Sequence, residues 1–92
     1  MTAPFRLYLP TRMRIGRDEF GAHLLDLSVS GALLIAPEPP AVGSRIQLRL
    51  PDGARAAEVV RRDGRQLGVR FVAPLAAAEV ASLLDRYEAL AA

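Results

Sequence analysis

The chain has 92 residues, 51% hydrophobic and 24% charged, with a formal net charge of +2. This composition predicts one globular domain with a modest core, not a disordered segment. There is no cysteine and only one histidine, which excludes disulfides, thiolate metal sites and a cysteine nucleophile, and leaves no histidine set for a metal. No apolar run reaches membrane-spanning length, and no basic segment followed by an apolar one opens the chain, so no membrane insertion and a cytoplasmic protein are expected. All 12 basic residues are arginine. Arginine suits planar, bidentate recognition of phosphate and guanine. An excess of alanine and arginine also follows from genomic base composition.

In chain order, Phe5 to Ile15 reads as a strand broken or bulged at Pro10. Gly16 to Gly21 reads as a turn. Ala22 to Val29 and Ala32 to Ile35 are two apolar strand segments that meet near Ser30-Gly31. Pro37, Pro39, Pro40 and Gly43 mark a loop. Arg45 to Leu50 alternates, with Ile46, Leu48 and Leu50 predicted inside and Arg45, Gln47 and Arg49 outside. Pro51-Asp52-Gly53 is a turn, Arg55 to Arg62 a strand, Asp63-Gly64 a hairpin signal, and Gln66 to Val72 the returning strand. After Pro74, the residues Val80, Leu83, Leu84, Tyr87 and Leu90 fall at helical spacing. This amphipathic helix, about 75–91, is expected to pack on its own domain. About six short strands with tight connections predict a small antiparallel, Greek-key-like β-barrel over about residues 5–73. The chain is thus read as a single domain, residues 1–92, mainly β with a C-terminal α-helix.

The most informative stretch is Asp26-Leu27-Ser28-Val29-Ser30-Gly31. In a regular strand Asp26, Ser28 and Ser30 share one face, and Leu25, Leu27 and Val29 the other. A carboxylate, two hydroxyls and a terminal glycine on one rigid face suit the donor-rich edge of guanine. The same residue types also bond local backbone and cap strands readily. His23 would point away from Asp26 and Ser28 by parity, which argues against a catalytic triad. Asp18-Glu19 reads as a solvated turn. With few aromatics (Phe5, Tyr8, Phe20, Phe71 and Tyr87) and acids scattered among the arginines, DNA or RNA binding is not expected.

The order of these features resembles the PilZ domain, a bacterial receptor module for cyclic di-GMP. Phe5-Arg6-Leu7-Tyr8-Leu9-Pro10 is similar to the arginine-bearing first strand of that family. Asp26 to Gly31, followed by Ala32-Leu33-Leu34, matches its D-x-S-x-x-G motif. Gly68-Val69-Arg70-Phe71 is similar to its closing strand, and the terminal helix sits where the family has one. The resemblance implies a non-enzymatic receptor or adaptor with no cofactor beyond its ligand, cyclic di-GMP, and a protein partner to which it relays the signal. Asp26, Ser28 and Gly31 would hold one guanine, and Arg6 would stack on the ligand or meet its phosphates. The alternative is a PilZ-like adaptor that no longer binds the ligand. The family's first motif is R-x-x-x-R, and here Thr2 stands four positions before Arg6. Arg12, Arg14 and Arg17 could supply charge from elsewhere, while Arg45/Arg49 and Arg61/Arg65 have the spacing by chance.

Overall fold

The computed structural model describes residues 8–91, with side chains through Tyr87. Six strands close into an antiparallel barrel. They are β1 (Leu9–Ile15), β2 (Asp18–Leu27), β3 (Gly31–Ile35), β4 (Arg45–Leu50), β5 (Gly53–Asp63) and β6 (Gln66–Phe71), with one helix, α1 (Ala77–Ala91), after them. Around the barrel the strand order is β1-β2-β3-β6-β5-β4, with β4 closing back on β1. The Pro-rich segment after β3 leads the chain past two strand positions to β4, and β6 returns beside β3. That is a Greek-key path.

The interior follows the alternation. Met13, Leu24, Leu34, Leu48, Val59 and Leu67 are the largest fully buried side chains. Along β4, Ile46, Leu48 and Leu50 are buried while Arg45, Gln47 and Arg49 face water. Pro10 lies in β1 opposite His23, ahead of the stretch from Arg12 onward that pairs with β4. Its missing N–H therefore removes no bond of that ladder. Phe5 and Arg6, expected to begin the first strand, lie outside the described residues.

The turn expected over Gly16 to Gly21 is only Gly16-Arg17, and Asp18 to Gly21 already belong to β2. Gly16 supplies φ 57°, and Gly64 supplies φ 61° at the same place in the β5–β6 hairpin. Glycine at the first of two loop residues lets the turn follow the strands' own twist, so no longer loop is needed.

Helix α1 lays its apolar stripe on the barrel. Leu83 and Tyr87 join the core, with Leu75 just ahead of the helix, while Val80 and Leu84 pack against it. Glu79 anchors the start. Its Oε1 accepts the Ala76 N–H at 3.0 Å, one half of a capping box, and its Oε2 meets the Arg55 guanidinium at 3.1 Å. Among the described residues, no helix is long and apolar enough to cross a membrane.

Candidate functional site

The D-x-S-x-x-G segment spans the end of β2, a three-residue bend and the start of β3. Strand parity alone would put Asp26 inside the barrel, because Leu24 is inside. A β-bulge between Leu24 and Asp26 prevents this. Leu25 is the extra residue and is also buried, so Asp26 turns outward and is exposed. The predicted faces change accordingly. Leu25 and Leu27 are buried, but Val29 is 42% exposed, because the strand has already ended at Leu27. The same bulge reverses the parity argument for His23. This residue lies between buried Ala22 and Leu24 and so faces outward, as Asp26 does. Its ring stacks on Tyr8, with centroids 4.1 Å apart and planes at 11°. No hydrogen bond joins His23 to Asp26 or Ser28 among the described residues.

Local backbone bonds tie the motif together. Asp26 Oδ1 accepts the Leu27 N–H at 2.9 Å. Ser28 N–H donates to the Gly31 carbonyl at 2.9 Å, and Ser28 Oγ accepts the Gly31 N–H at 3.3 Å. Ser28 Oγ also lies 3.2 Å from the Gly31 carbonyl and 3.3 Å from Ser30 Oγ. Ser28 is therefore the knot of the bend. A carboxylate has about four acceptor positions, so among the described residues Asp26 keeps most of its capacity free.

Gly31 is a glycine for a reason the sequence did not reveal. Its φ is not positive. A Cβ placed there would lie 1.9 Å from the Val69 carbonyl oxygen. The close backbone approach is to β6, whatever Gly31 also offers a ligand.

Asp26, Ser28, Ser30, Gly31, Leu33 and Arg61 line a groove of about 280 Å³ on the barrel wall. Arg61 is the residue that sequence reasoning missed, since its spacing to Arg65 looked accidental. A second bulge, between Val59 and Arg61, turns it outward and pairs it with Gly68. Only the departure of Val59-Val60-Arg61 from simple alternation hinted at this. Arg12 and Arg14 belong elsewhere. They sit opposite Gly21 and Glu19 at the far end of β2. Arg12 is paired with Glu19, whose carboxyl is held below its ordinary range chiefly by that hydrogen bond, with further help from Arg49 and Arg14. A roomier apolar cavity of about 390 Å³ lies by Ile15, Phe20 and Pro37, and among the described residues its charged lining groups are Asp18 and Glu38. Two carboxylates suit no phosphate.

The architecture is thus a closed six-stranded antiparallel barrel with a polar surface groove and a packed C-terminal helix. The PilZ domain family model matches residues 5–89, almost the whole chain, and the chain belongs to the PilZ domain family. That family is one of binding and adaptor domains and is not a catalytic family. No curated protein matches the chain at a significant level.

Proposed function

We propose that this chain is a receptor for cyclic di-GMP that relays the signal to a protein partner on the cytoplasmic side. The observation that carries the reading is the outward, largely free Asp26 carboxylate on the wall of a groove. A guanine laid over half-buried Leu33 would donate N1–H and N2–H to that carboxylate together. A bidentate base contact of this kind is worth ~1–3 kcal/mol. Arg6, outside the described residues, would stack on the ligand or meet its phosphates. The bend also touches the elements that a relay needs. The Val29 carbonyl accepts the Leu75 N–H at 2.8 Å just ahead of α1, and the Ser30 carbonyl accepts the Phe71 N–H at 2.8 Å. A ligand that tightened the bend would act directly on the lead-in to the helix.

The competing reading is an adaptor that works only through protein contacts. It is favoured by the engagement of the Ser28 hydroxyl in the bend and by Thr2 at the position four before Arg6. Titration calorimetry separates the two. The receptor gives saturable heat below millimolar cyclic di-GMP, binding stronger than about −4 kcal/mol, and Asp26→Ala removes that heat while the barrel stays folded. Folded wild-type protein that gives no heat is the adaptor.

A further inference from the structure

We propose that Arg61 binds a phosphate of the ligand in this groove, from a strand that contributes no residue to the recognised motifs. The inference rests on the reading of the groove as a cyclic di-GMP site.

Strand register carries the argument. Asp26 pairs with Leu33, Leu33 with Gly68, and Gly68 with Arg61. These four residues form one row across β2, β3, β6 and β5, and residues paired directly across a sheet present their side chains to the same face. The row has a carboxylate at one end and a guanidinium at the other. Neighbouring strands lie ~4.8 Å apart, so the two ends are separated by about 14 Å of backbone. Between them stand Leu33, an apolar floor, and Gly68, which has no side chain.

Both ends face the groove only because of bulges. Without the extra residue in β2, Asp26 would point inward; without the one in β5, so would Arg61. Gly68 gives the arginine its path. A Cβ built there would lie 3.6 Å from Arg61 Cβ and 3.9 Å from Arg61 Nε. The Arg61 side chain thus leans across β6, toward Leu33 and the groove. It is exposed and makes no ion pair among the described residues. A guanine gripped at Asp26 leaves the sugar-phosphate body of the ligand over Leu33 and Gly68. There a planar guanidinium can take phosphate oxygens in bidentate fashion. This contact supplies charge where the first motif has only Arg6.

The test is calorimetric titration of cyclic di-GMP into wild type, Arg61→Ala, Arg61→Lys and Asp26→Ala at low and high salt, with melting temperatures measured alongside. Arg61→Ala should bind about ten- to a hundredfold more weakly. It should show a shallower dependence of affinity on salt, and melt as wild type does. Arg61→Lys should recover part of the affinity and most of the salt dependence, because it keeps the charge. If Asp26→Ala loses binding while Arg61→Ala binds like wild type with the same salt dependence, Arg61 has no such role and the guanine site stands. If the wild type gives no heat, both readings fall together. Loss of affinity that tracks a lowered melting temperature and is not restored by lysine also overturns the proposal.

Discussion

Gly31 on β3 meets the Val69 carbonyl on β6, and the contact is backbone against backbone. A carbonyl oxygen 1.9 Å from a new Cβ cannot be relieved by a side-chain rotation, so the two strands would have to part. Gly31→Ala is expected to cost on the order of 3 kcal/mol, the upper part of the range for overpacked sites. Chemical denaturation of the two proteins in the absence of nucleotide would measure it. An unchanged midpoint would mean that the strands separate freely here. The sequence marked this residue as special but could not say which neighbour made it so. Asp26 was legible as an exposed acid from its place between Leu25 and Leu27, which are both buried. What the sequence did not show is the change of phase at Leu25: alternation carried on from Leu24 would have buried the acid. Arg61 was illegible by the same logic. A bulge leaves no local chemical signature, so a row built from two of them emerges only when the strands are paired.

Helix α1 was legible because a 3.6-residue apolar stripe needs no tertiary information. What the stripe could not show is how the helix is fastened. Tyr87 is 6% exposed and lies near Thr11, whose Oγ1 donates to the Arg49 carbonyl at 2.5 Å. Burial pushes the Tyr87 hydroxyl above its ordinary pKa of 10.0. A phenol whose folded-state pKa is raised contributes stability that is fully present below pH 10 and lost as the pH climbs through the folded value. Tyr87→Phe should therefore lose no more than about 1 kcal/mol at neutral pH, the net worth of a hydroxyl's polar contacts. It should also lack the part of the alkaline decline that Tyr87 causes in the wild type. Thermal melts between neutral pH and pH 11 would show the two curves converging. Parallel curves would mean that the hydroxyl titrates as it does in water. The hairpins were legible from Gly16 and Gly64, though the first turn proved shorter than a six-residue polar stretch suggested.

Across the molecule, charge is uneven. Arg12 on β1 stands directly opposite Arg49 on β4, and like charges in that position repel. Glu19 lies between them, bonded to Arg12 and 3.9 Å from Arg49. Its lowered pKa means that this attraction is present above the ordinary carboxyl value of 4.5 and is lost as the pH falls through the folded value. Glu19→Gln should be slightly less stable than wild type at neutral pH and equal to it in strong acid, with the gap shrinking in high salt. Melting temperatures from pH 7 to pH 2 would test this, and a gap that persists in acid would contradict it.

Closure of the barrel has a consequence for how a partner can recognise this protein. Each of the six strands has a hydrogen-bonded neighbour on both sides, and the stretch of β1 ahead of its β4 pairing carries Pro10. A strand with an open flank invites another chain to add itself by main-chain bonds alone. In this closed barrel such flanks are confined to strand ends that outrun a neighbour, such as Asp18–Ala22 of β2 on its β3 side. Along the rest of the wall a docking partner reads side chains: the exposed arginines, the groove around Asp26, or the outer face of α1. Recognition then depends on what those surfaces present, and a nucleotide lying in the groove would change one of them.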